Sequence, residues 1–172
     1  MQRKWQIGWT AMAFASVAMI PASASAQVRL GTYNIIQRQS DLCLDISPRT
    51  DRQGAQVIQD ACDGTEYQLF RVARAPSGGY NLIAHFAAQC LQPEGASVEP
   101  RVNIVQQRCR SGDEQVFTLE SQGANLYSIV SKQSGLCLNI SGYHPGARTP
   151  INQFPCHGGD SQLFELVPAR SP

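Results

Sequence analysis

The chain has 172 residues, with 14 Lys and Arg against 13 Asp and Glu and a formal net charge of +1. That balance offers no basic stripe to nucleic acid or to an anionic membrane, which argues against both as partners. Six cysteines with no CxxC pair and no HExxH motif leave a zinc site unsupported and point to disulfides in an exported protein.

In chain order, residues 1–26 read first as a secretory signal. MQRK supplies a basic start, WQIGWTAMAFASVAMI is apolar and nearly chargeless, and PASASA ends in small residues, which predicts cleavage between Ala26 and Gln27. The apolar run is shorter than the ~20 residues needed to span a bilayer, so no membrane span is expected. The protein is therefore expected to be secreted or periplasmic. Residues 27–172 suit a single domain, and removing Arg3 and Lys4 leaves it 12 basic against 13 acidic residues.

The first unit opens with YNIIQRQ, aromatic and branched residues that predict a strand. LCLDI alternates by twos, QVIQDAC follows, then a Gly-bearing turn, DGTE, and a last strand, YQLFRV. The same order returns from Tyr80 as YNLIAHF, the turn RSGDE and EQVFTL. It returns again from Tyr127 as YSIVSKQ, LCLNI, PINQFPC, HGGD and SQLFELV. No window sustains a helical apolar stripe, so helix content should be low.

The recurrence is strict. Tyr33, Tyr80 and Tyr127 stand 47 apart, as do Gln68, Gln115 and Gln162, and Phe70, Phe117 and Phe164. The cysteines alternate at separations of 19 and 28, which restores the same period. The units run roughly 30–76, 77–123 and 124–170. Four short strands per unit predict an all-β, barrel-like closed fold with pseudo-three-fold symmetry rather than an open solenoid, which would want polar capping units. Six cysteines formally allow 15 pairings. Three equivalent units favour one disulfide per repeat: Cys43–Cys62, Cys90–Cys109 and Cys137–Cys156.

These CLD-type strands, each with a second cysteine and a terminal Gln-x-aromatic, resemble the ricin B-chain-like β-trefoil lectins over essentially the whole of residues 27–172. The family's Gln-x-Trp is Gln-Leu-Phe, Gln-Val-Phe and Gln-Leu-Phe here. The resemblance implies a β-trefoil of twelve strands, six in a barrel and six in a hairpin cap, with shallow sugar pockets, up to one per repeat. It also implies that Phe70, Phe117 and Phe164 fill a shared core while Gln68, Gln115 and Gln162 bond nearby backbone.

Strand parity separates the third repeat's residues. Leu136, Leu138 and Ile140 share one face of LCLNI, with Cys137 and Asn139 on the other. In INQFPC, Ile151, Gln153 and Pro155 oppose Asn152, Phe154 and Cys156. A Cys137–Cys156 bridge therefore brings Asn139 near Phe154 and sets that ring outside the core. A sugar pocket needs an aromatic face for the C–H side of a pyranose and fixed polar groups for its hydroxyls. Carried over from the family motif, the third repeat offers Asn139, Asn152, Phe154, His157 and Ser161, with Tyr143 and His144 as a rim. The first repeat offers Asp45, Asp60 and Tyr67. Its two carboxylates would repel unless solvated, protonated or paired with a cation such as Arg49 or Arg52. The second, with Gln92, Val105, Gln107 and Glu114, reads as degenerate. The sites rank third, first, second.

No G-x-S-x-G or free Cys-His arrangement appears, and the sequence makes no substrate cleft evident around the Asp45 and Asp60 carboxylates, so catalysis is not expected. No metal or cofactor is expected either. The reading is a non-catalytic lectin that binds glycans or glycoconjugates weakly, at about 0.1–1 mM per pocket. The alternative is a cell-binding accessory subunit of a multi-component toxin, resembling those of cytolethal distending toxins and acting mainly through protein contacts. A protease-inhibitor trefoil is a weaker third. Asn139-Ile140-Ser141 is also a formal glycosylation acceptor.

Overall fold

The computed structural model describes residues 28–169; the expected signal segment, 1–26, lies outside them. Twelve strands carry the described chain. They are β1 (Gly31–Gln37), β2 (Cys43–Ser47), β3 (Gln56–Asp60), β4 (Leu69–Arg74), β5 (Tyr80–Ala84) and β6 (Gln89–Pro93). The rest are β7 (Ile104–Gln107), β8 (Phe117–Gly123), β9 (Leu126–Ser131), β10 (Cys137–Ile140), β11 (Thr149–Phe154) and β12 (Leu163–Pro168). The only helical elements among the described residues are short 3-10 turns.

Antiparallel pairing runs β1 to β4, β4 to β5, β5 to β8, β8 to β9, β9 to β12 and β12 back to β1, a closed cycle. The other six strands form hairpins, β2–β3, β6–β7 and β10–β11. These touch one another through β3–β7, β3–β11 and an Asn103–Asn152 bridge. The architecture is all-β and β-trefoil-like. Cys43–Cys62, Cys90–Cys109 and Cys137–Cys156 are bonded, each joining residues 19 apart, and three disulfides fit an oxidising compartment.

The core follows the alternation. In β4, Phe70 and Val72 point inward while Arg71 faces water, and β12 repeats this with Phe164, Leu166 and Glu165. Four sets of three side chains, each stepped by 47 residues, have no solvent exposure: Ile35, Leu82, Ile129; Leu44, Leu91, Leu138; Val57, Ile104, Ile151; and Phe70, Phe117, Phe164. All twelve belong to one apolar cluster.

Two features depart from the strand pattern of the sequence. The glutamine of each Gln-x-Phe closes a 3-10 turn, Glu66–Gln68, Asp113–Gln115 or Asp160–Gln162, instead of starting a strand. The cause is local: the Gln68, Gln115 and Gln162 N–H groups donate to the carbonyls of Thr65, Gly112 and Gly159. In β10 both faces are buried, Cys137 and Asn139 as well as Leu138 and Ile140, while Leu136 precedes the strand and is only half-buried.

Gln59, Gln106 and Gln153 form another 47-step column, each side chain fully buried. Gln59 Nε2 donates to the His144 and Gly146 carbonyls, at 3.1 and 2.7 Å. Gln106 does the same to Thr50 and Arg52 at 2.9 and 2.8 Å, and Gln153 to Ser97 and Glu99 at 3.0 and 2.7 Å. Each repeat thus holds a loop of the one before it, and the first holds the third. In two of the three, a serine hydroxyl (Ser40 or Ser134) donates to the amide oxygen at 2.9 Å. Ala87 stands at the equivalent position in the second, and the buried Gln106 Oε1 has no partner there. Ala87→Ser should therefore stabilise the fold by about 1 kcal/mol. Thermal unfolding should show a rise of roughly 2–4 °C; an unchanged or lower midpoint would mean that the serine cannot reach the amide.

Candidate functional site

The first repeat's hairpin encloses a cleft of about 490 Å³, lined by Asp45, Ile46, Ser47, Pro48, Arg49, Ile58, Asp60 and Arg148. Asp45 sits in mid-strand on β2 with its side chain 1% exposed. Gln68 Nε2 donates to Asp45 Oδ2 at 2.9 Å and to the Ala61 carbonyl at 2.7 Å, and Gln68 Oε1 accepts the Asp63 N–H. The glutamine of the Gln-x-Phe motif therefore fixes the carboxylate as well as backbone.

Arg49 Nη2 reaches the same Asp45 oxygen at 2.8 Å and also pairs with Asp63. The hydrogen bonds to Asp45 and then Asp63 raise the guanidinium pKa well above its usual value. Asp63 is partly desolvated, which acts to raise its pKa. The Thr65 N–H, Arg49 and the Thr65 hydroxyl together outweigh that and hold it below the ordinary carboxylate range. Asp45 Oδ1 is buried with no partner among the described residues. Of the cations anticipated for the Asp45/Asp60 pair, Arg49 is the one on Asp45; Asp60 Oδ1 instead accepts the Ala61 N–H at 2.8 Å. Tyr67 stands beside the cleft, its ring 4.5 Å from that of Phe86 and 5.8 Å from the Arg49 guanidinium carbon.

The third repeat's pocket, about 410 Å³, is lined by Arg101, Asn139, Ser141, Gly142, Asn152 and Phe154. The register sets Asn139 opposite Asn152 and Cys137 opposite Phe154, so Asn139 and Phe154 are diagonal neighbours. Asn139 Nδ2 donates to Asn152 Oδ1 at 3.1 Å and to the Ile140 carbonyl at 2.6 Å, while its Oδ1 accepts Ser161 Oγ at 3.1 Å. Asn139, Asn152 and Ser161 are 2–4% exposed and form one hydrogen-bonded floor. Burial also makes Asn139 a poor glycosylation acceptor in the folded protein.

Phe154 is half-buried at the end of β11, and the His157 ring meets it edge-on at 6.4 Å. His157 Nδ1 accepts the Gly159 N–H. The His144 carbonyl is spent on Gln59, and the Tyr143 side chain lies outside the described residues.

In the second repeat Gln92 is closed on itself, its Oε1 accepting Gln115 Nε2 at 2.8 Å and its Nε2 donating to the Pro93 carbonyl at 3.3 Å. Val105 is buried, and Gln107 Oε1 accepts the Arg108 N–H.

Sequence reading passed over Arg101 and Arg148, which arrive from the repeat before. Gly54, Arg101 and Arg148 are a further 47-step column, all with positive φ (82°, 67° and 63°). Their N–H groups donate to Gln106, Gln153 and Gln59 carbonyls at 2.7–2.8 Å. Of the three, Arg148 lines the first repeat's cleft and Arg101 the third repeat's pocket. The spacing alone could have revealed the column.

The family model described as ricin-type beta-trefoil lectin domain matches residues 31–142. No curated protein sequence matches the chain. The fold is similar to that of the designed three-fold symmetric protein ThreeFoil, at TM-score 0.76 and 30% identity over 80% of this chain and 98% of that one. It also resembles an exo-beta-1,3-galactanase from Clostridium thermocellum, at 0.76 and 20%, over 86% of this chain and 31% of the enzyme. A third likeness is the Macrolepiota procera ricin B-like lectin solved with lactose, at 0.69 and 18%, over 83% and 99%.

Proposed function

Because the chain belongs to the ricin-type β-trefoil lectin domain family, we propose that it is a non-catalytic carbohydrate-binding protein working through its first and third repeat pockets. The observation that carries this reading is Asp45. A carboxylate held by Gln68 and Arg49 through one oxygen, its other oxygen buried without a partner in the wall of the cleft, has an acceptor left over for a ligand hydroxyl that enters there. On this ground the first pocket ranks ahead of the third for a neutral sugar, because the Asn139 amide is largely spent on Ile140, Asn152 and Ser161. Asp60 and Tyr67 flank the first site; Asn139, Asn152, Phe154, His157 and Ser161 make the third.

The Macrolepiota lectin in complex with lactose supports sugar as the ligand class. Asp45 is already committed to Arg49, which speaks against a glycosidase role for the Asp45/Asp60 pair. Export by a cleavable signal belongs to this reading, and the disulfides are compatible with it.

Asp45→Asn keeps the shape but removes the charged acceptor, and should weaken neutral-sugar binding about ten- to hundredfold. A glycan array followed by titration of the best hit checks this, with a thermal melt to confirm folding. A folded wild type that binds no glycan would refute the reading. Protein capture that survives Asp45→Asn and Phe154→Ala together, without glycan binding, would favour the toxin-subunit alternative.

A further inference from the structure

The third pocket differs from the first in its charge. In the first, Arg49 pairs with Asp45, and Asp60 and Arg148 also line the pocket, so acids and bases share it. The third is lined by Arg101 with Asn139, Ser141, Gly142, Asn152 and Phe154, and by no acid. Arg101 is exposed, and it takes part in none of the ion pairs among the described residues. Its guanidinium carbon lies 5.3 Å from the centre of the Phe154 ring, within cation–π range.

We propose that the third pocket selects saccharides bearing a carboxylate, such as a uronic or sialic acid, with Arg101 of the preceding repeat as the anion-reading group. This rests on the carbohydrate reading of that pocket and names its substrate class.

Three physical points carry it. A guanidinium offers a planar fork of donors that matches a carboxylate bidentately, and stacking on an aromatic face leaves those in-plane donors available. The cation–π contact with Phe154 holds the guanidinium near the pocket and the Arg101 backbone N–H bond to the Gln153 carbonyl at 2.7 Å fixes its main chain, so less freedom is lost on binding. The same cation–π contact discriminates between ligands. A neutral pyranose that used the Phe154 face would have to displace the cation and gain no charge partner, whereas an acidic one keeps Arg101 as its contact. The polar floor of Asn139 and Asn152 then serves the ring hydroxyls.

The test titrates the full chain by NMR with matched probes, methyl β-glucuronide against methyl β-glucoside, which differ only in carboxylate against hydroxymethyl. The methyl α-glycoside of N-acetylneuraminic acid is a third arm, separating a uronic from a sialic source. At low salt the wild type should bind at least one acidic probe about tenfold or more tighter than the glucoside, and the preference should shrink in 0.5 M salt. Arg101→Gln should abolish the preference, whereas Arg52→Gln, an equal charge loss at an exposed residue outside both pockets, should leave it. Equal or better binding of the glucoside by wild type would overturn the inference and leave the carbohydrate reading standing. So would an acid preference that persists in Arg101→Gln. A folded protein that binds none of the probes or array glycans would overturn both.

Discussion

Phe117→Ala should cost about 3–5 kcal/mol of folding stability, the range for removing a large aromatic from a close-packed interior. Phe117 has no solvent exposure and shares one apolar cluster with Phe70 and Phe164, at the same place in the other two repeats. Its strand pairs with both β5 and β9, so the backbone around the deleted ring is held on two sides and can collapse only partly into the gap. Native proteins are stable by about 5–15 kcal/mol, which makes this loss a large share of the total. In urea the midpoint should fall with little change in slope, because the denatured chain is unaltered. Phe70→Ala and Phe164→Ala should give similar losses. A cost below about 1 kcal/mol at Phe117 would mean that the site is not tightly packed.

Replacing both Cys137 and Cys156 by serine should cost about 3 kcal/mol by a different route. The bridge joins residues 19 apart and lies beside the β10–β11 hairpin, whose backbone pairing remains when the sulfurs are gone. In the chain-entropy account the main effect is on the unfolded ensemble, which gains the freedom of an open loop of about 20 residues. The urea slope should therefore rise as the midpoint falls, because a less constrained denatured chain exposes more surface. Phe117→Ala and the double serine variant thus form a pair, similar in size and opposite in which state they alter. A full loss with an unchanged slope would move the disulfide's contribution into the folded state. No loss at all would show that the hairpin is indifferent to its staple.

Much of this was legible in the chain because it is local. Tyr33, Tyr80 and Tyr127 mark the period, the alternation of LCLNI and YQLFRV sets strand faces, and cysteines 19 apart within one unit choose their partners by proximity. Parity also brought Asn139 beside Phe154, since a hairpin's register fixes which side chains share a face. Parity could not give the burial of Asn139. That depends on Ser161 and the Asp160–Gln162 turn, which return 22 residues later to cover the outer face of β10.

The sequence by itself determined three repeats, most of their strands and their cysteine pairs, because each follows from side-chain period and short-range pairing. The tertiary structure alone decided how the repeats serve one another. Gln59, Gln106 and Gln153 each hold a loop of another repeat, and Arg101 and Arg148 enter pockets whose other residues belong to the next repeat in the cycle. These contacts exist only once the three hairpins have closed on themselves. A 47-residue spacing records that such residues recur, but the direction in which each reaches is a property of the closed ring. The charge of the third pocket depends on that direction.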